Sequence, residues 1–376
     1  MKNETKSTMV STKDFAKEYL SGMTPERLGA ELNADKNRLR LLYEEAVGEE
    51  GQDLSAPAKV IALAGALTRR LSPTRRLAFG VSVITMLLSP FALLPSFATP
   101  LAFVAIFVLL MLELLEKSDV KKEIDLAKQI QLSLLPQSDL KVDGLETYSF
   151  ANTAEVVGGD YIDFIENENG LYVVIADVAG KGLAAALYMV RVQALVKMII
   201  EKQSPSPKQL FLELNDYIKS NSKDKTFVTA VAAFFPKEAS HFLYARAGHN
   251  HPLFYEDKTE KVAELNANGF ALGMTNTKKL MAYLNEVQIP FEEGDSLLLY
   301  TDGLNEARNN ENEEFGIASL ITIFELYGRY GAHAIIKKIQ ASLGDFIGNS
   351  PIQDDITFTC IKRTKIDKLP AAETEA

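Results

Sequence analysis

A single cysteine, Cys360, is present among 376 residues. That excludes an intrachain disulfide and a cysteine-rich zinc site. It lies in the apolar run 355–361 and reads as a packed core residue. Positive charge is also short, with 40 lysines and arginines against 50 aspartates and glutamates, a net charge of −10. A general nucleic-acid binder needs a basic surface to displace counterions, so no nucleic-acid partner is expected. An acidic protein that binds an anionic ligand faces repulsion, which metal cations placed at the site would offset. No internal repeat is present. The long apolar stretch is not a signal peptide, because it starts far from Met1 and has no small-residue cleavage site.

What the sequence does contain is organised in segments. Residues 1–70 are polar, with good helix formers over 14–20 and 24–47, and read as a helical cytoplasmic N-terminal region. Residues 77–94 and 97–112 are two uncharged apolar blocks, each close to the ~20 residues a helix needs to cross a bilayer. Pro95-Ser96 and Thr99-Pro100 favour a tight turn between them. Arg69, Arg70, Arg75 and Arg76 precede the first block, and Lys117, Lys121 and Lys122 follow the second. Basic residues at both outer ends place both on the cytoplasmic side. Residues 77–115 therefore read as a two-span transmembrane hairpin in the cell (inner) membrane, with both termini cytoplasmic. The rival reading is a hairpin buried in a soluble domain.

Residues 116–137 read as a connector helix. Val120, Ile124, Ala127, Gln131 and Leu134 recur at the spacing of a coiled-coil seam, over about two and a half heptads. This allows a short coiled coil and a homodimer, or one amphipathic helix docked on the next domain. Pro136 ends it.

Residues 140–363 form the domain that carries chemistry, and 364–376 read as a polar disordered tail. β-Branched and aromatic runs predict strands over 146–152, 159–165, 171–178, 226–235, 241–245, 296–301 and 355–361. Helical patterns cover 182–201, 206–220, 317–330 and 332–346. The order suggests an α+β class, helices packed on antiparallel sheets.

Four acidic clusters sit at predicted strand ends: Gly158-Gly159-Asp160, Asp177-Val178-Ala179-Gly180-Lys181-Gly182, Thr301-Asp302-Gly303 and Gln353-Asp354-Asp355. Any single Asp-Gly pair is usually just a turn. Four of them at strand ends in one domain point to a shared cleft. Carboxylate oxygens suit hard divalent cations. Several carboxylates together repel one another unless cations neutralise them. The pattern argues for a binuclear site that would activate water and stabilise phosphoryl transfer.

Over residues 124–362 the chain resembles the bacterial branch of the metal-dependent protein phosphatase family (PPM, protein phosphatase type 2C), of the sporulation-phosphatase and RsbU kind. The resemblance is carried in order by Ala127-Lys128-Gln129-Ile130-Gln131, Val157-Gly158-Gly159-Asp160-Tyr161-Ile162-Asp163-Phe164, the Asp177–Gly182 run, Phe227-Val228-Thr229-Ala230, Ala247-Gly248-His249-Asn250, Tyr300-Thr301-Asp302-Gly303 and Gln353-Asp354-Asp355-Ile356-Thr357. It implies an αββα sandwich and a serine/threonine phosphatase with two divalent ions, Mn²⁺ or Mg²⁺. Asp160 and Asp177 would hold one ion with the Val178 carbonyl. Asp177, Asp302 and Asp354 would hold the other. Gly159, Asp355 and His249 are implied as supporting residues. The implied partner is a phosphorylated protein, an anti-sigma-factor antagonist. Ala179 and Ile162 depart from the family's usual serine and tyrosine, at positions that supply no side-chain ligand.

Other readings are weaker. Gly180-Lys181-Gly182 lacks the Ser/Thr and upstream glycine of a phosphate-binding P-loop. Gly158-Gly159-Asp160 is faintly similar to a nucleotide cyclase signature, without its continuation. A phosphoprotein-binding scaffold without turnover is disfavoured by the intact Asp160, Asp177, Asp302 and Asp354. His249 and His251 could pair on zinc, but turn-shaping histidines are commoner.

Overall fold

The computed structural model describes Thr68 and residues 71–88, 97–134, 139–142, 144–221 and 226–365. The N-terminal region over 1–70, apart from Thr68, and the tail beyond residue 365 lie outside the described residues. The chain divides into two compact units, 1–118 and 119–376.

In the first unit, α1 spans Pro73–Leu88 and α2 begins at Ala98 and runs to Leu134. Small side chains let the two helices approach: Ser82 and Ala102 are buried, whereas Leu77, Val81, Leu87, Leu101 and Phe103 are exposed. Arg75 at the start of α1 pairs with Glu113 at 3.2 Å. That contact fits an antiparallel hairpin. The apolar helices are shorter than the expected spans: α1 has 16 residues, and the apolar part of α2 is Ala98–Glu113. Among the described residues, the one helix long and apolar enough to cross a bilayer is Gly182–Gln203, which belongs to the second unit. Half of its apolar window is buried, so its hydrophobicity serves a protein core.

The second unit is built on two antiparallel sheets. Sheet one has the order β1 (Asp139–Val142), β2 (Leu145–Asn152), β11 (Ile356–Arg363), β10 (Ser296–Tyr300), β7 (Leu253–Glu256), β8 (Lys261–Glu264). Sheet two has the order β3 (Asp160–Asn167), β4 (Gly170–Val178), β5 (Val228–Pro236), β6 (His241–Ala247), β9 (Glu286–Pro290). The central strands explain their own composition. In β4, flanked by β3 and β5, every residue but Asp177 is buried, and its sequence is a near-continuous apolar run. In β11 all eight residues are buried.

Three hydrophobic clusters define the layers. Between the sheets, Phe235, Phe242 and Phe291 pack with centroids 5.1 to 5.4 Å apart. Outside sheet two, α3 (Gly182–Gln203) and α4 (Pro207–Asn221) bury Met189, Val196, Ile200 and Phe211. Outside sheet one, α7 (Gly316–Tyr327) and α8 (Ala332–Ile347) bury Phe324, Ile335 and Ile339. Two short helices, α5 (Thr277–Tyr283) and α6 (Asp302–Asn305), complete the unit. The layers run helix, sheet, sheet, helix. Cys360 is buried in the cluster under α7 and α8. Burial pushes its thiol up to about 12, and it is a packing residue.

Within 140–363 the strands and helices expected from the sequence are present with ends moved by a few residues, and the helices expected over 14–20 and 24–47 lie outside the described residues. The short strands β1, β7, β8 and β9 and the short helices α5 and α6 are not among those expected. Each is four to seven residues long, too short for a periodic pattern to stand out.

Candidate metal centre

The antiparallel register brings the first two aspartates together. Asp160 opens β3, Asp177 closes the adjacent β4, and the two are register partners. In sheet one, β10 ends at Tyr300 and β11 begins at Ile356, so Thr301-Asp302 and Asp354-Asp355 meet at that sheet's corresponding end. A buried hydroxyl joins the two sheets here. Thr301 Oγ1 donates to Asp160 Oδ2 at 2.9 Å and accepts from the Thr357 amide at 3.0 Å.

The carboxylates feel one another. Asp177 is pushed up to about 7, first by burial and then by Asp302, Asp354 and Asp355. Asp160 is held well above the usual carboxylate range by burial and then by Asp177. Burial and Asp354 raise Asp302. Such mutual repulsion in a half-buried cleft is the electrostatic environment that a divalent cation would relieve. The donor set, all oxygen, fits Mg²⁺ or Mn²⁺. Among the described residues, however, no three acidic, histidine or cysteine side chains stand close enough to enclose an ion as they lie.

Three of the carboxylates already have partners. Asp160 is engaged by Thr301. Asp354 Oδ2 is paired with Lys181 Nζ at 2.8 Å. Asp355 accepts from the amides of Ala154 at 2.8 Å and Gly159 at 2.7 Å. That role makes Asp355 a clamp on the loop that precedes Asp160. The loop also needs its glycines: a Cβ on Gly158 would stand 2.5 Å from Asp355 Oδ2, and one on Gly159 3.1 Å from the Val178 carbonyl.

Other residues singled out in the sequence have partners of their own. Asp163 is three residues from Asp160 and so on the opposite face of β3. It is buried under α3, paired with Lys197 at 3.2 Å. His249 Nδ1 shares a 2.8 Å hydrogen bond with Thr229 Oγ1, and Thr229 is the register partner of Asp177. Burial pushes His249 down to about 4, so it is neutral. His251 Nδ1 bonds the Leu265 carbonyl at 3.1 Å. The two histidines have separate partners.

Sequence reasoning did not assign roles to Thr301, Gln131 or Lys181. Gln131, near the end of α2, is buried and bonds Gly158 twice: Nε2 donates to its carbonyl at 2.6 Å and Oε1 accepts from its amide at 3.1 Å. The available signal was a polar side chain at a seam position otherwise occupied by apolar residues.

Beside the carboxylates lies a cleft of about 190 Å³ lined by Lys181, Gly303, Glu306, Arg308, Gln353 and Asp354, among others. A family model described as stage II sporulation protein E (SpoIIE) matches residues 167–364. Phosphoserine phosphatase RsbU of Bacillus subtilis (strain 168) is 27% identical over 247 residues, covering 66% of this chain and 72% of that protein. Phosphoserine phosphatase RsbP of the same organism is 25% identical over 193 residues, 50% of this chain and 46% of RsbP. The solved SiaA-PP2C domain of Pseudomonas aeruginosa has a TM-score of 0.57 and 22% identity, and covers 66% of this chain and 98% of that one. It shares the fold.

Proposed function

The chain belongs to the SpoIIE family, and we infer from that membership that it is an RsbU-like protein serine/threonine phosphatase of the PPM type. We propose that it works with two divalent cations, Mn²⁺ or Mg²⁺. The metal reading is supported by the mutual repulsion among Asp177, Asp302 and Asp354, which come from the ends of both sheets. When bound, the cations would supply a water-derived nucleophile at neutral pH and offset charge on the phosphoryl oxygens. Asp160 and Asp177, with the Val178 carbonyl, would hold one. Asp177, Asp302 and Asp354 would hold the other.

The chain's own groups do the positioning. Thr301 ties Asp160 to the opposite sheet. Asp355 pins the Gly158-Gly159 loop. The His249–Thr229 bond fixes the strand beside Asp177. No protein nucleophile is required. The proposed substrate is phosphoserine or phosphothreonine on a protein, with an anti-sigma-factor antagonist as partner. Support comes from the relatives' names as phosphoserine phosphatases and from the resemblance of the motifs. Membrane attachment through residues 77–115, with the catalytic unit cytoplasmic, is supported by the exposed apolar side chains of α1 and α2 and the basic residues flanking them.

The test is phosphate release from a panel of phosphoproteins with and without Mn²⁺. Release is expected to require Mn²⁺ and to be lost in Asp177→Asn. Release without the cation, or full activity in the variant, would overturn the mechanism.

A further inference from the structure

Lys181 stands where no metal ligand or buried structural role accounts for it. It is half-exposed, its ammonium lies 2.8 Å from Asp354 Oδ2, and it donates to the Gln353 carbonyl at 2.8 Å. It occupies the N-cap position of α3 yet makes no side-chain capping bond, so nothing in its own helix calls for the side chain to point this way. Its charge opposes the repulsion on both Asp177 and Asp302. It also lines the cleft beside the acidic cluster. The neighbouring cation in that cleft, Arg308, is already paired with Glu314 and bonded to the Asn312 carbonyl. Lys181 is therefore the cation whose partner is itself a proposed cation ligand.

A carboxylate oxygen that holds an ammonium at 2.8 Å cannot give the same lone pair to a divalent ion. With Asp354 Oδ1 already accepting from the Asp355 amide at 2.9 Å, a divalent ion at Asp354 competes with the lysine for Oδ2. A displaced lysine, on a long stem anchored beside the cleft, remains within the region where a phosphorylated ligand must approach, and a phosphoryl dianion is the natural next partner for a compact ammonium. We propose that Lys181 is an internal counter-cation of this cleft: it occupies Asp354 until a divalent cation takes that carboxylate, and then holds a phosphoryl oxygen of the substrate. The first half stands on the ion pair alone. The second rests on the phosphatase reading. No bond is made or broken in this exchange; one ionic partner replaces another.

Two measurements on the full chain separate the halves. Mn²⁺ binding to the substrate-free protein is measured by calorimetry for the wild type, Lys181→Gln and Lys181→Arg. Removal of the competing charge is expected to tighten Mn²⁺ binding about two- to fivefold, the range a half-exposed ion pair corresponds to, while Lys181→Arg stays near wild type. Unchanged affinity in Lys181→Gln would overturn the counter-cation role. Binding of inorganic phosphate to the Mn²⁺-loaded proteins is then compared. It should weaken severalfold in Lys181→Gln and recover in Lys181→Arg, with the KM for phosphoprotein rising in parallel. Equal phosphate binding by wild type and Lys181→Gln would overturn the phosphate contact. A thermal melt in chelator shows that each variant is folded. If the wild type releases no phosphate from any phosphoprotein, the functional reading fails, yet the Mn²⁺ comparison still decides the first half.

Discussion

At the scale of single residues, the cleft trades stability for charge. Asp177 titrates near 7 in the folded protein against 3.8 for the free side chain, with burial the main cause and the other carboxylates next. Between those two values the folded state binds the proton that the unfolded state has released. Stability of the cation-free protein therefore falls as pH rises from about 4 to 7. In chelator, the melting temperature should be higher at pH 5.5 than at pH 8, by about 2–4 °C for each kcal/mol of linkage. Added Mn²⁺ should raise it most at pH 8, where the carboxylates are ionised. A melt that is flat with pH in chelator would remove the electrostatic basis of the site. Gly303 offers a second check. A Cβ there would lie 2.0 Å from the Asp355 carbonyl oxygen, so the backbone of the Asp354-Asp355 loop would have to move. Gly303→Ala is expected to cost about 1–3 kcal/mol and to lower phosphatase activity sharply. Activity equal to wild type would show that the loop's placement does not matter to turnover.

At the scale of elements, the sequence identified β3, β4, β10 and β11, whose ends carry the proposed ligands, and the long helices of the second unit. The signals were strong there because buried central strands are rich in β-branched residues and the helices are long. What it left undetermined was pairing. Nothing in the β3 and β4 sequences says that Asp160 faces Asp177; the register does. The end of α2 is a similar case. Gln131 belongs to a heptad-like stripe, which suggested either a coiled-coil seam or a docked helix. Its two hydrogen bonds to Gly158 put this part of the helix against the loop before Asp160. Gln131→Leu would leave a buried amide and carbonyl unpaired, at about 1–3 kcal/mol. Because Gly158 adjoins the proposed ligand loop, Mn²⁺ affinity or activity should also fall by roughly 10- to 100-fold. Loss of stability with unchanged Mn²⁺ affinity would confine Gln131 to a structural part.

At the scale of the whole molecule, α2 runs from Ala98 to Leu134 and carries the chain from the first unit into the second, within which Gln131 bonds Gly158. A change upstream has a covalent route to the loop before Asp160. Deleting residues 1–116 is expected to alter turnover or oligomeric state, measured by phosphate release and by light scattering. Identical behaviour of the two forms would argue against regulation through the connector. By itself, the sequence determined the chemical inventory: acidic side chains at strand ends, the order of their motifs, the absence of disulfides and of a basic surface, and the fold class that follows from alternating periods. These are local properties, set by residue type and spacing along the chain. The tertiary structure alone decided which groups meet. Thr301 reaches Asp160, Lys181 reaches Asp354, and Asp355 reaches Gly159 across separations of 141 to 196 residues. Such contacts follow from how two sheets stack and register. Local periodicity carries no record of partners so distant in the chain.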